Sequence, residues 1–279
     1  MVQFVFFSPP DLQLASKQKS WDNLVSSTLL NIVMNNCNSL LDKTRLLACQ
    51  ESESSAWLNA YPSTNTGQLL DDKSLQITYG VRLGLAFRVP LSCVCGATVD
   101  TYSLHELSCY RSEGKVRHSI INDIIKQALL SAGIPSILEP SGCSRTDGKK
   151  PDGMSLVPWK RGNALVWDAT CSDTGATTYP QKSSEFVGEA ARLAEVRKRN
   201  KYINLEDQFI FVPFAVETFG PWGEDAKDLI KDIGRRIFVT TAHKRSKTFL
   251  VQAVDLVIQR GNAAAIMGTF HLHPRLIIF

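Results

Sequence analysis

Two acids and a run of bases stand out in the stretch GKKPDGMSLVPWKRGNALVWDAT, from Gly148 to Thr170. Asp152 follows Lys150 and Pro151 at the mouth of one apolar segment, and Asp168 sits inside the next, with WKRG between them. Side chains alternate along a strand, so Asp168 shares a face with Ala164, Val166 and Thr170, while Leu165, Trp167 and Ala169 take the other. A carboxylate in the middle of such a strand is costly unless something compensates it. If the two segments pair as a hairpin, the start of one lies beside the end of the other. Asp152 and Asp168 then come within reach of one cation, and hard oxygen ligands suit magnesium or manganese. Glu139, closing SILEP, offers either a further carboxylate or an exposed side chain.

A second set of residues has metal-ligand spacing. Cys93, Cys95, His105 and Cys109 read C-x-C-x9-H-x3-C. Zinc takes four soft or borderline ligands in a tetrahedron. Cys93 and Cys95 can grip from a tight turn eased by Gly96, and one helical turn would present His105 and Cys109 to the same point. The alternative is four unrelated residues, with the cysteines acting as small hydrophobes. The remaining cysteines, Cys37, Cys49, Cys143 and Cys171, have no such spacing. Seven cysteines, an odd number in a chain of 279 residues, do not suggest a disulfide framework.

The bases cluster. Arg145, Lys149, Lys150, Lys160 and Arg161 face only Asp147 and Asp152 in their stretch, and Arg192, Arg197, Lys198, Arg199 and Lys201 face only Glu195 in theirs. The net charge of +4 is mild, so this distribution carries more information than the total. Two basic blocks beside acids suit a polyanion, and they equally suit two solvated faces. At 100° per residue, Val187, Ala190, Ala191 and Ala194 form one helical stripe that continues into Lys198 and Lys201. Either lysine could stabilise charge beside the acids, or cover apolar surface with its stem. On an earlier helix, Arg117 and His118 join the stripe of Ile121, Ile124, Ile125 and Ala128, where His118 could touch phosphate or shuttle a proton.

These residues need elements to hold them. The pattern predicts helices over 16–50, with Ser20 as a candidate N-cap, and within 69–90, ending before Pro90. Residues 51–68 read as loop. From Arg117 onward it predicts an amphipathic helix closed by Gly133, a short strand at PSILEP, the hairpin DGMSLVP and NALVWDATC, and a helix from Ser183 or Ser184 to Tyr202. QFIFVPFAV then reads as a buried strand, followed by two closing helices. The expected fold is α/β, a mixed central sheet flanked by helices in the order α-β-β-β-α-β. No apolar run reaches the roughly 18–20 residues of a membrane helix. The opening MVQFVFFSPP is a poor secretory signal, so an intracellular, non-secreted protein without a membrane partner is expected.

As an ordered set, Cys93-x-Cys95, His105, Cys109, RH at Arg117–His118, EP at Glu139–Pro140, KPD at Lys150–Asp152, WDAT at Trp167–Thr170 and KRNKY at Lys198–Tyr202 resembles the C-terminal region of non-LTR retrotransposon polyproteins. These carry a CCHC zinc knuckle followed by a restriction-like endonuclease of the PD-(D/E)XK type, which nicks target DNA to prime reverse transcription. The resemblance covers about residues 91–217. It implies a connector-like helical region over 1–90, a knuckle over 91–112 and a restriction-endonuclease-like domain over 113–279. It implies that Asp152 and Asp168 bind magnesium, that Lys198 or Lys201 replaces a strand lysine moved to the helix, and that DNA, and element RNA as a further partner, is met in the nucleus or elsewhere in the cell. Thr170 stands where a restriction enzyme usually has lysine. Arg117, His118, Arg145, Lys149, Lys150 and Arg197 would grip phosphates. The alternative is a catalytically inactive nucleic-acid-binding remnant of such a polyprotein. A zinc hydrolase is disfavoured by the lack of HExxH, and a nucleotide enzyme by the lack of a Gly-rich phosphate loop.

Overall fold

The computed structural model describes residues 18–111, 114–143, 150–175, 180–205 and 207–268. The N-terminal region holds helices α1 (Gln18–Asn36), α2 (Leu40–Gln50) and α3 (Asp72–Leu83). A small hairpin of β1 (Leu91–Ser92) and β2 (Thr98–Val99) leads into the single turn α4 (His105–Ser108). Then come α5 (Gly114–Ser131), β3 (Ser136–Leu138), β4 (Gly153–Lys160), β5 (Asn163–Ser172), α6 (Pro180–Glu185), α7 (Glu189–Lys201), β6 (Ile210–Glu217), α8 (Glu224–Thr241) and α9 (Ser246–Met267). No described helix is long and apolar enough to cross a membrane.

The sheet runs β3-β4-β5-β6, antiparallel except for the parallel pair β5–β6. That parallel pair needs a crossover, which α6 and α7 supply. The alternation expected of β5 sorts its side chains onto two layers. Leu165, Trp167 and Ala169 join Phe214 and Val216 of β6 against Ile121 and Ile125 of α5, Ile230 and Ile233 of α8, and Val254 and Ile258 of α9. On the opposite face Val166 and Phe211 meet Tyr202, and Ala215 meets Ala191 and Ala194 of α7. Small residues at that last contact let α7 lie close to the sheet.

Several boundaries differ from expectation for local reasons. The helix over 16–50 is two helices. Ser39 breaks it by capping α2, its hydroxyl accepting from the Asp42 N–H at 3.2 Å, and Ser20 lies within α1. Residues 53–59 form a 3-10 helix rather than loop, pinned past its midpoint by Asp255, which accepts from the Trp57 N–H at 3.0 Å. Gly84, at φ +67°, ends α3 well before Pro90. The helix predicted over 183–202 is interrupted by Gly188 at φ +74°. Ser183 and Ser184 therefore belong to α6, and Val187 lies exposed in the break instead of on the buried stripe. One apolar cluster unites Ala48, Ile77, Val81 and Phe87 with Leu107 of α4 and with Phe219, Ala263 and Ile266, so segments on both sides of positions 91 and 113 share a core.

Candidate functional site

The register of the β4–β5 hairpin pairs Gly153 with Trp167, which sets Asp152 across from Asp168. The Asp152 N–H donates to the Trp167 carbonyl at 3.0 Å, and the Asp152 carbonyl accepts from the Glu139 N–H at 2.9 Å. Regular pairing stops there. The next inward N–H of β5, from Ala169, donates 2.6 Å to Asp152 Oδ2 instead of to a backbone oxygen. Asp152 thus places its carboxylate at the fork where β4 leaves β5. Glycine at 153 has a steric reason, because a Cβ there would lie 2.1 Å from Cζ2 of Trp167. That ring in turn donates from Nε1 to Asn122 Oδ1 at 3.0 Å.

Each acid has a helix of its own. From α5, His118 Nε2 lies 2.9 Å from Asp152 Oδ2, and Asn122, one turn on, also hydrogen-bonds Asp152. From α7, Lys198 Nζ makes an ion pair with Asp168 Oδ2. Tyr202, directly after α7 and 1% exposed, donates to the Lys150 carbonyl at 2.8 Å and reaches Asp168 Oδ1 at 3.4 Å. Lys201 Nζ donates to the Tyr202 hydroxyl at 2.7 Å and lies 4.3 Å from the centre of its ring.

The two carboxylates are pushed in opposite directions. Burial raises the Asp152 carboxyl, but His118, the Ala169 N–H and Asn122 together hold it below the usual aspartate range. Asp168, 2% exposed, is raised, first by burial and then by the negative charge of Asp152, and Lys198 and Lys201 only partly oppose this. The hydrogen bond to Asp152 raises the imidazole of His118 against the opposing effect of burial.

The structure therefore gathers Asp152, Asp168, Lys198, Lys201 and His118 at one fork. Other expectations fare differently. Arg117 is 4% exposed, and its guanidinium is committed to the Leu107 carbonyl at 2.7 Å and to Asn262. It is a corrected assignment: a buried strut between α5, α4 and α9 cannot grip a phosphate in solvent. Its passage requires Gly261, where a Cβ would sit 1.7 Å from Arg117 Cγ. Glu139 is exposed and bonds Asp152 through its backbone, at φ +49°. Lys150 and Arg197 are exposed beside the site's elements, and Arg145 and Lys149 lie outside the described residues. Sequence reasoning missed Asn122 and gave Tyr202 no role. A buried asparagine one turn after His118 was the available signal for the first; the second had none beyond its place after the lysines.

The Cys–His set also comes together. The ligand atoms of Cys93, Cys95, His105 and Cys109 all lie within 4.8 Å of one another. The β1–β2 turn aims the first two, with Gly96 at φ +91° and its N–H on the Cys93 carbonyl at 2.8 Å. Cys93 and Cys109 are 3.7 Å apart, and Cys95 Sγ is 3.2 Å from His105 Nε2. A tetrahedral centre with metal–sulfur bonds of about 2.3 Å spaces its sulfurs by about 3.8 Å. The group could hold a metal ion. Burial pushes the Cys93 thiol up to about 11, whereas the Ala97 N–H helps bring Cys95 down to about 7. Beneath the group, Arg88 and Glu106 form a fully buried ion pair, and Leu107 enters the shared core. All seven cysteines are free thiols.

No family model and no curated protein matches the chain.

Proposed function

We propose that the chain is a metal-dependent, restriction-like DNA endonuclease that nicks target DNA in the manner of non-LTR retrotransposon insertion. One observation carries the reading. Two acids and a lysine from β4's mouth, β5 and α7 converge on a fork in the sheet, within an element order of helix, three strands, helix and strand. Carboxyls shifted by burial and by specific charged partners cluster at functional sites.

Asp152 and Asp168 would hold the divalent cation, since their oxygens are hard ligands and each retains lone pairs beyond those already bonded. A magnesium ion bound there supplies positive charge to the scissile phosphate and acidifies a water. Lys198 stabilises charge developing on the phosphate oxygens. His118 and Asn122 fix the Asp152 carboxylate, and the low position of its carboxyl keeps it ionised. Lys150 and Arg197, exposed nearby, bind backbone phosphates with salt-sensitive, largely sequence-independent affinity. The Cys–His group fits structural zinc, with four ligands and no open position, and would hold a knuckle against the duplex.

A plasmid-nicking assay with magnesium tests this. Wild type should convert supercoiled plasmid to open circles, and Asp152→Ala and Asp168→Ala should not. Equal nicking by all three removes the assignment.

A second reading has its own support. Both acids already have cationic partners, His118 and Lys198, as in a folded remnant that only binds nucleic acid. A gel shift that survives EDTA, with no magnesium-dependent cutting, selects it.

A further inference from the structure

The two candidate lysines are not equivalent, and the difference leads to Tyr202. Lys198 meets Asp168 directly. Lys201 instead donates to the Tyr202 hydroxyl, at 2.7 Å. That phenol oxygen then touches one acid and the chain leading to the other. It lies 2.8 Å from the carbonyl of Lys150, two residues before Asp152, and 3.4 Å from Asp168 Oδ1. A phenol has one proton to give and lone pairs to receive with. Accepting from an ammonium polarises the O–H and strengthens what it donates. The ring is immobile, packed on Phe211 with centroids 5.1 Å apart and buried with Val166 and Cys143.

We infer, on the endonuclease reading, that Tyr202 is a positioning residue that sets the gap between Asp152 and Asp168 and steers Lys201 away from the reacting phosphate, leaving Lys198 as the lysine that acts there. The physical reason is that backbone pairing ends at Asp152, whose N–H and carbonyl meet Trp167 and Glu139, so the lead-in just before it, Lys150 and Pro151, belongs to no strand. Its upstream anchor is the Lys150 carbonyl, and the Tyr202 hydroxyl references that carbonyl and the second acid from one atom. Removing the hydroxyl leaves the ring's packing but frees the lead-in, and two ligands whose separation fluctuates bind a small cation less well.

The experiment is single-turnover plasmid nicking by the full chain across a magnesium titration, with manganese affinity measured calorimetrically on the same proteins. In Tyr202→Phe, half-saturating magnesium should rise about tenfold, manganese affinity should fall in parallel, and the rate at saturating metal should change much less. Lys198→Ala should do the reverse, losing about 100-fold in rate at saturating metal with little change in metal affinity. Lys201→Ala should resemble Tyr202→Phe, and the double variant should be no worse than Tyr202→Phe alone. Tyr202→Phe with the wild-type metal dependence, or a Lys201→Ala protein that loses rate rather than metal affinity, overturns the inference while leaving the endonuclease intact. A wild-type chain that neither nicks nor binds manganese through its acids overturns both.

Discussion

The Cys–His group and the acid fork are both clusters of potential metal ligands, but they stand on opposite sides of the stability balance. The first draws its four ligands from 17 consecutive positions, Cys93 to Cys109, on a two-strand turn and one helical turn. Such a segment has little core of its own, and a metal ion would supply much of what orders it. The second draws on α5 and β5, which pack into the large apolar core, on the lead-in to β4, and on α7, which packs on the other face of the sheet. There the fold provides the stability, and the buried charges consume some of it. A local cluster of this kind would owe its order to a metal it could hold, whereas the distributed one owes its order to the fold.

That contrast can be broken from either end. The largest effect is expected from Asp168→Asn, which keeps the shape and removes the charge. Magnesium-dependent nicking should fall by roughly a thousandfold or more, while the melting temperature stays within a few degrees, because burial already disfavours the charged form. A protein that unfolds instead would place Asp168 with the structural residues. Next, stripping metal from the Cys–His group with a strong chelator, or Cys109→Ser, should cost several kcal/mol. It should expose amides of 91–109 to hydrogen exchange before those of β5. Uniform exchange across both regions would erase the distinction.

Gly153→Ala tests whether the fork depends on backbone fit. The added Cβ would press on Trp167, and overpacking of this kind costs about 1–3 kcal/mol. Chemical denaturation should show that loss together with weakened nicking, because Trp167 also holds Asn122. The smallest effect is electrostatic. Glu195 caps α8 across the fold, accepting from the Ala226 N–H at 3.2 Å, and burial, then Asp225, raise its carboxyl to about 7. A raised acid stabilises the fold fully below its unfolded value of 4.5 and loses that contribution as pH climbs through about 7. Relative to Glu195→Gln, wild type should therefore melt a few degrees lower at about pH 8 than at about pH 5. A pH-independent difference would exclude that ionisation.

The same local-versus-distributed contrast explains what the sequence disclosed. The Cys–His spacing was readable because its ligands are neighbours in the chain. The strands β4, β5 and β6 were readable from alternation and from an apolar run, and their hairpin register brought Asp152 opposite Asp168 as the pattern required. Lys198 followed from helical rotation. Arg117 was misread because its periodicity is that of a buried face, and only tertiary structure shows Leu107 and Asn262 waiting there. The break at Gly188 was missed because a capping partner, Glu217, accepts the Ala191 N–H at 2.9 Å from 26 residues away. The substitution of Asp152 Oδ2 for a missing strand carbonyl has no sequence signature at all.

The Arg117 strut has a mechanical consequence. Its guanidinium ties the turn bearing His105 and Cys109 to α9, while His118, the next residue of the same helix, and Asn122 one turn on hold Asp152. On the endonuclease proposal, a ligand clamped by the Cys–His turn would be measured against the acid fork by this one helix, and the cut would fall at a constant offset from the clamp whatever the sequence between.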